Sequence, residues 1–449
     1  MKRKLYDRLL EWKKKNGETA LLVKGARRVG KSWIVEEFAK NEYESYILID
    51  FNDIEDEVKN LIVSNLPNRD RLFSYLQVTY GKTLHERKSL IIFDEVQECP
   101  KARAAIKYLV KDGRYDFIET GSLLSIDKNT KDIVIPSEEE TIELNPMDFE
   151  EYVWASGNEH LMNYLRECFV TGRAPEQAIH RQAMTLLREY MIVGGMPQAV
   201  LEYTTSHDFA RTEAKKEEIL TLYRADIAKH GGDDRYRIEN IWDTIPSQLS
   251  RHEKKFRLSD INKNARKRKY TPSFIWLSDA RLVNLCFNTT EPNVGLKMNE
   301  DRTYVKCYMS DTGLLITHAF SENPQAKADI CKKLLLGKLE VNKGMVIENI
   351  VAQMFTATGH KLFFFSKYDK SNAEERMEID FLLAKSKVTS RHNINLVEVK
   401  STQRYTLSSL RKTKAKYPMY IGESLVIHSG EYKQEDGITY LPVYMAPLL

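Results

Sequence analysis

Apolar and polar residues alternate along the first part of the chain in a pattern typical of a parallel α/β sheet. Short apolar runs, each the length of a buried strand, are separated by longer helical segments. The runs that we predict as strands are "TALLVKG", "SYILIDF", "SLIIFDE", "YDFIETG" and "DIVIP". The pattern predicts a parallel-sheet α/β domain over residues 1–150.

The pattern becomes helical from about residue 147 to residue 235, as in "QAMTLLREYMIVGG" and "EAKKEEILTLYRADIAKH". Residues 236–320 hold short helices and the run "KCYMSDTGLL". A further helix, "GMVIENIVAQMFTATG", precedes the predicted strands "KLFFFSK", "EIDFLLAK" and "INLVEVKS". A helix "TLSSLRKTKAKYP" and strands near 424–428 and 438–445 follow. This order predicts a second α/β unit that differs from the first.

Length and composition add limits to this picture. A chain of 449 residues predicts two to four domains. No apolar run approaches the roughly 20 residues of a membrane helix, and the basic N-terminus lacks the apolar core of a signal peptide. The five cysteines are scattered without a CxxC pair, which favours reduced thiols over a zinc site. We therefore expect a cytoplasmic protein that does not span a membrane.

The segment "GARRVGKS" matches the phosphate-binding pattern G-x-x-x-x-G-K-[ST] in full. An apolar strand precedes it and a helical run follows it, so that backbone N–H groups at a helix N-terminus can point at an anion. Lys31 supplies charge to the phosphates, and Ser32 can bind Mg²⁺. Arg27 and Arg28 either reach phosphate or nucleic acid or stay as exposed loop charge. The residues predicted to bind ATP here are Gly25, Ala26, Arg27, Arg28, Val29, Gly30, Lys31 and Ser32.

Two carboxylates follow the buried strand in "SLIIFDEVQ". The carboxyl end of a parallel strand lies beside the phosphates, so Asp94 can hold Mg²⁺ there, and Glu95 can orient the attacking water as the catalytic residue. An exposed loop pair is the alternative. Another strand, "DFIETGS", ends in Thr120 and Ser122, which either sense the γ-phosphate or are ordinary strand-end residues.

These motifs, with "LNPMDFEEY", "VGGMPQAV", "LYRADIAK", "YMSDTGLL", "IENIVAQMF" and "EIDFLL…VEVKS", resemble one family in their order. This family is that of the prokaryotic AAA-type ATPases of the archaeal-ATPase and STAND-related branch. They are fused to a C-terminal domain of unknown function that resembles the PD-(D/E)xK, restriction-endonuclease-like fold. The resemblance implies that the P-loop residues with Asp94 and Glu95 bind and hydrolyse ATP. It also implies that Gly194, Gly195 and Pro197 lie in a helical lid beside the nucleotide, and that an oligomer is possible.

A basic stretch lies in the middle of the chain. Residues 251–270 hold nine Lys and Arg against two acidic residues, a balance of +7 in a chain whose net charge is +4. Such a concentration is typical of a protein that binds the phosphate backbone of DNA, here through Arg266, Lys267, Arg268 and Lys269. The resemblance puts a winged helix here, with its second helix near 272–280. A charged face that only contacts solvent is the alternative.

The segment "LVEVKS" carries Glu398 and Lys400 on one face of an otherwise apolar strand. If the preceding strand pairs with it as a hairpin, Asp380 faces the same side. Asp-x₁₇-Glu-x-Lys on adjacent strands is the pattern of PD-(D/E)xK nucleases, and Glu348 matches the extra acidic residue of that fold. Glu348, Asp380 and Glu398 are predicted to hold Mg²⁺, and Asp380, Glu398 and Lys400 to be catalytic. A surface ion pair and an inactive scaffold are the alternatives.

The sequence therefore predicts four parts: a P-loop ATPase domain over 1–150, a helical lid over 151–235, a winged helix over 236–325 and a nuclease-like domain over 326–449. The predicted function is an ATP-hydrolysing, DNA-binding, nucleic-acid-processing enzyme with ATP and Mg²⁺ as cofactors. The alternative is a regulatory or signalling ATPase switch whose C-terminal domain is a catalytically inactive scaffold.

Overall fold

In a computed structural model, the chain is described over residues 1–122, 136–251, 253–263, 266–293, 295–340, 342–385, 392–402 and 404–449. These residues divide into two compact units. The first unit comprises Met1–Asn145 with Asp279–Arg281, and the second comprises Pro146–Ser278 with Leu282–Leu449.

The first unit is built on a parallel sheet with the strand order β2-β3-β4-β1-β5. The predicted parallel α/β fold is therefore confirmed. The strands are β1 Ala20–Gly25, β2 Ser45–Asp50, β3 Ser89–Asp94, β4 Asp116–Gly121 and β5 Glu139–Leu144. The helices are α1 Leu5–Lys13, α2 Lys31–Glu42, α3 Asp56–Asn65, α4 Arg69–Tyr80 and α5 Pro100–Asp112.

Burial explains which strands of the first unit could be recognised from the sequence. Strands β3 and β4 are buried at every position, so their sequences read as nearly unbroken apolar runs. Strand β5, "EETIEL", was missed because it lies at the sheet edge and only Ile142 and Leu144 are apolar and buried. The predicted strand "DIVIP" falls almost entirely on residues 132–135, outside the described residues.

The second unit begins with helices, as its sequence pattern indicates. They are α6 Phe149–Ala155, α7 Leu161–Thr171, α8 Gln177–Val193, α9 Pro197–Ser206, α10 Phe209–His230 and α11 Arg235–Ser250. Among the residues that the structure describes, no helix has both the length and the apolar character needed to cross a membrane.

Two mixed sheets follow in the second unit. The first has the order β7-β6-β8-β9, and the second has the order β10-β11-β12-β14-β13. The strands are β6 Val283–Thr289, β7 Glu300–Met309, β8 Phe363–Lys367, β9 Met377–Ile379, β10 Phe381–Ala384, β11 Ile394–Lys400, β12 Ile421–His428, β13 Lys433–Glu435 and β14 Ile438–Pro442. The helices are α12 Lys267–Asp279, α13 Thr312–Ala319, α14 Pro324–Leu335, α15 Lys343–Ala357 and α16 Ser408–Lys416.

The predicted strand "EIDFLLAK" forms two short strands rather than one. Strand β9 ends at Ile379 and pairs with β8, whereas β10 begins at Phe381 and pairs with β11. Asp380 lies at the break, where its Oδ2 accepts the backbone N–H of Val399 at 2.9 Å. The predicted antiparallel pairing of "DFLLA" with "INLVEVKS" is confirmed, with Phe381 opposite Val397.

A buried polar network joins several of the sequence motifs inside the second unit. Asp311 caps α13 through the N–H of Leu314 and also accepts the N–H of Gly195 at 2.5 Å. Gly194 has a φ of 80°, and a Cβ there would lie 2.3 Å from Oδ1 of Asp311. The carbonyl of Gly195 accepts the N–H of Met147 at 2.7 Å. Gly194 is thus required by close contact with Asp311, and Gly195 by close contact with the backbone of Met147.

Candidate nucleotide site and C-terminal charge cluster

The phosphate-binding loop lies between β1 and α2. Strand β1 ends at Gly25 and helix α2 begins at Lys31. Gly30 has a φ of 93°, a left-handed conformation that glycine adopts without steric cost. The first N–H groups of α2 have no partner within the helix, so the loop and helix form a site for an anion.

Lys31 is 4% exposed and lies against the loop itself. Its Nζ donates to the carbonyl oxygens of Gly25 at 3.2 Å and Ala26 at 3.0 Å. The ammonium is thus held inside the loop that matches the phosphate-binding pattern. Within this loop, Ala26 and Val29 are buried and Arg28 is exposed.

Ser32 and Asp94 meet at the carboxyl end of the sheet. The Ser32 Oγ donates to Asp94 Oδ1 at 2.9 Å, and Thr120 donates to the same oxygen. Burial raises the pKa of Asp94, although these hydrogen bonds act in the opposite direction. A hydroxyl and a carboxylate are ligands that Mg²⁺ prefers, so these two side chains fit such an ion.

Glu95 follows Asp94 in a strained backbone conformation, with a φ of 51°. Its Oε2 accepts Gln97 Nε2 at 2.5 Å and Ser122 Oγ at 3.3 Å, and its N–H donates to Thr120 Oγ1 at 3.3 Å. The fold therefore brings together the residues predicted at the ends of β3 and β4, which are Asp94, Glu95, Thr120 and Ser122. Their roles with a nucleotide stay predictions.

Two residues that support this site were missed in the sequence. Arg3 donates to the carbonyls of Val29 at 3.1 Å and Asn145 at 2.8 Å, which anchors the loop to the end of β5. Gln97 holds Glu95. Gln97 could have been suspected from its place two residues after Glu95, but no sequence signal distinguishes Arg3 among the N-terminal basic residues.

The C-terminal residues predicted to form a nuclease-like site converge in the second unit. Glu398 is 3% exposed and forms an ion pair with Lys400 on the same face of β11. Burial raises the pKa of Glu398 to about 7 against the opposing charge of Lys400. The register of β10 and β11 puts Asp380 beside Glu398.

Glu348, on α15, is held by three donors of the protein. Tyr308 donates from its hydroxyl at 2.5 Å, and the ammonium groups of Lys306 and Lys254 lie at 3.2 Å and 2.9 Å. Burial acts to raise the pKa of Glu348, but the two lysines lower it to about 2. Glu348 is therefore an ionised carboxylate in a buried site.

Lys306 was not recognised in the sequence and lies at the centre of this cluster. Its Nζ is 3.2 Å from Glu348, 3.3 Å from Asp380 and 3.7 Å from Glu378. Over the described residues, no group of three or more His, Cys, Asp or Glu side chains is arranged to hold a metal ion. Metal binding by Glu348, Asp380 and Glu398 stays a prediction.

The basic stretch is divided between internal ion pairs and the surface. Four of its cations form ion pairs within the unit: Lys254 with Glu348, Lys255 with Glu253 and Glu378, Arg251 with Asp260, and Arg257, which is itself exposed, with Glu253. Lys267 lies 5.8 Å from the ring of Tyr304, and burial lowers its pKa. The remaining cations, Lys263, Arg266, Arg268 and Lys269, are exposed.

Comparison with known proteins finds a family match over the first domain. Residues 17–153 match the family described as "AAA domain", and this range includes the phosphate-binding loop and the ends of β3 and β4. Residues 184–325 and 343–446 match two families, each described as a domain of unknown function. No curated protein matches the chain.

Several solved structures are similar to the chain at low identity. The Walker-type ATPase of Pyrococcus abyssi is 17% identical, with a TM-score of 0.41, over 71% of this chain and 95% of its own. The ORC1 protein of Aeropyrum pernix, solved with DNA, is 12% identical, with a TM-score of 0.28, over 73% and 94%. A STAND protein of Pyrococcus horikoshii is 12% identical, with a TM-score of 0.27, over 77% and 47%. Similarity at this level does not indicate what this chain binds.

Proposed function

We propose that the chain binds and hydrolyses ATP with Mg²⁺ at the loop Gly25–Ser32. Backbone N–H groups of the loop and of the start of α2 bind the phosphates, and Lys31 supplies the main counter-charge. Ser32 and Asp94 hold Mg²⁺, which offsets the charge of the β- and γ-phosphates when it is bound. Glu95 orients the attacking water. The 2.9 Å contact between Ser32 Oγ and Asp94 Oδ1 carries this proposal, because it joins the two expected ligands at one point.

Two substitutions separate nucleotide binding from hydrolysis. Lys31→Ala should weaken ATP binding on the order of 100-fold, because a buried charge-assisted contact is lost. Glu95→Gln should keep the affinity and lower the turnover rate by at least about 100-fold. Binding is measured by calorimetry with Mg²⁺ and a non-hydrolysable ATP analogue, and turnover by phosphate release. Lys40→Ala, on the exposed face of the same helix, is the control. Equal affinity in the wild type and Lys31→Ala would disprove the site.

We also propose that the second unit binds the backbone of duplex DNA near the N-terminus of α12. The exposed cations Lys263, Arg266, Arg268 and Lys269 support this, since no ion pair joins them to a described carboxylate. Helices α11 and α12 followed by the β6–β7 hairpin also support the winged-helix interpretation of residues 236–325. The salt dependence of DNA binding tests this part of the proposal.

We propose, third, that residues 326–449 have a nuclease-like fold. This part of the proposal concerns the fold and not the activity. It is supported by the order of α15, β8 and the β10–β11 hairpin, and by the convergence of Glu348, Asp380 and Glu398. A regulatory ATPase with an inactive C-terminal scaffold is the second candidate function. The position of Lys306 among the carboxylates favours it over metal-dependent cleavage.

A further inference from the structure

Lys306 is a buried cation in the middle of strand β7. It lies opposite Cys286 of β6, and its side chain is 1% exposed. A buried ammonium is costly unless carboxylates and hydrogen bonds compensate it. Such compensation is present, because the Nζ lies 3.2 Å from Glu348 Oε1 and 3.3 Å from Asp380 Oδ1. The burial of Lys306 therefore depends on these carboxylates.

The ammonium lies where a shared divalent ion would have to be. An ion that bridges Glu348 and Asp380 must contact an oxygen of each, and the Lys306 Nζ contacts both. Glu378 also approaches this nitrogen, at 3.7 Å. The side chain reaches the cluster from β7, which is not part of the predicted Asp-x₁₇-Glu-x-Lys pattern.

The other oxygens of the two carboxylates also have protein donors. Glu348 Oε1 accepts the hydroxyl of Tyr308, and its Oε2 lies 2.9 Å from the Nζ of Lys254. Asp380 Oδ2 accepts the N–H of Val399. All four oxygens of this pair therefore contact a donor of the protein, and an ion between them would compete with the Lys306 ammonium for Glu348 Oε1 and Asp380 Oδ1.

The charges of the cluster are also balanced. The ammonium groups of Lys306, Lys254 and Lys255 face the carboxylates of Glu348, Asp380 and Glu378. An added divalent ion would leave an excess of positive charge in a buried site, which is unfavourable. The set of donors and the sum of charges thus disagree with a metal ion shared by Glu348 and Asp380.

We propose that Lys306 permanently takes the place of the metal ion, and that the C-terminal domain is a metal-independent scaffold rather than a nuclease. This inference rests on the nuclease-like arrangement proposed above and does not depend on ATP hydrolysis. The same ion pairs use Lys254 and Lys255 to fasten the segment 253–257 to the carboxylates, so these two lysines do not contact DNA. The domain therefore has no metal ion at this cluster with which to cleave a substrate.

The first test is calorimetric titration of Mn²⁺ into the nucleotide-free full chain. The substitution Asp94→Asn is present throughout, so that the ATP site lacks the carboxylate proposed to hold Mg²⁺. We expect no binding event that depends on Asp380. A Mn²⁺ event with Lys306 intact that Asp380→Asn abolishes would overturn the proposal, whatever the ATPase measurements show.

The second test removes the lysine in the same background. Lys306→Met should lower the Tm by at least about 5 °C, and it should create a Mn²⁺ event that raises the Tm again and that Asp380→Asn abolishes. Absence of such an event would show that the lysine does not exclude the metal. If Lys306→Met does not fold, Lys306→Met with Glu378→Gln, which removes one charge of each sign, replaces it.

A matched control is available in the same unit. Lys327 is also buried, and its Nζ lies 2.7 Å from both Glu213 and Glu217. Lys327→Met should likewise lower the Tm, but Mn²⁺ should not restore it, because Glu217 is exposed and does not form a buried carboxylate pair with Glu213. Equal recovery of both variants with Mn²⁺ would mean that the metal response is not specific to the Lys306 cluster, and the proposal would fail.

Discussion

At the scale of single residues, the position of Glu95 depends on its neighbours. Its backbone is in the left-handed region, and its carboxylate is held by the side chains of Gln97 and Ser122. A carboxylate that orients water must keep one direction, since a small displacement misaligns the attack. The two donors, rather than the identity of Glu95 alone, provide this direction.

Gln97→Ala therefore tests a positioning residue. We expect the turnover number to fall roughly 10-fold. Glu95 is still present, but its carboxylate loses the donor at 2.5 Å that helps to fix its direction. The KM for ATP and the Tm should stay unchanged, since Gln97 has no predicted contact with the phosphates. Steady-state kinetics with a melting curve measures all three values.

Glu98→Ala, one residue further along, is the control and should leave the turnover number unchanged. A rise in KM with an unchanged turnover number in Gln97→Ala would contradict the positioning role. A lower Tm of Gln97→Ala would instead indicate that Gln97 stabilises the fold.

The residues of the nucleotide site differ in how far the sequence could predict them. Lys31, Ser32 and Asp94 have side chains whose chemistry phosphate and Mg²⁺ require, so the motif and the strand end were enough to propose them from the sequence. Arg3 and Gln97 act through hydrogen bonds to the motif, and several residue types could make such bonds. Lys306 was missed for a related reason: only the fold brings β7 against α15 and the β9–β10 break.

At the scale of elements, burial determined which strands were predicted. The inner strands β3 and β4 are apolar almost throughout, whereas the edge strand β5 has one covered face and was missed. The pattern around Asp380 predicted one strand. A single polar residue does not show that the segment before it pairs in one sheet and the segment after it in another. In the fold, the chain passes there from one sheet to the other, and the Asp380 side chain accepts the N–H of Val399.

Gly194 lies between helices α8 and α9, beside Asp311. A substitution of Gly194 therefore tests the buried network around Asp311. Gly194→Ala should destabilise the second unit by about 3 kcal/mol, from backbone strain plus a Cβ that would lie 2.3 Å from Asp311. Thermal and urea unfolding measure the change. The backbone of Gly194, with a φ of 80° and a ψ of −173°, lies in a region that glycine alone occupies readily, so backbone strain and the Cβ contact both contribute.

Gly157→Ala is a matched control for this substitution. Gly157 has a φ of 75°, close to that of Gly194, but a Cβ there would meet no described atom within 4 Å. We expect a cost of about 1 kcal/mol from the φ value alone. Equal effects of the two substitutions would show that Asp311 does not constrain the turn at Gly194.

At the scale of the whole molecule, the distribution of charge matters more than its sum. The net charge is only +4, whereas residues 251–270 carry a local excess of +7. The sequence predicted this concentration but could not assign its members. The fold uses Arg251, Lys254, Lys255 and Arg257 in ion pairs, and it leaves other cations on the surface. The number of phosphates that the stretch can neutralise is therefore smaller than its composition suggests.

Neutralising Arg266, Arg268 and Lys269 together to Gln tests which cations bind DNA. Each phosphate contact that is lost should reduce the slope of log K against log salt by about 0.9, so the slope should become shallower by roughly 2 to 3. Fluorescence anisotropy with a labelled duplex over a series of salt concentrations measures it. A triple change of Lys332, Lys333 and Lys338 to Gln removes the same charge from an exposed region of the same unit and should leave the slope nearly unchanged. Equal slopes in the two triple variants would show that binding follows net charge and not this surface, and the proposed contact with DNA would be wrong.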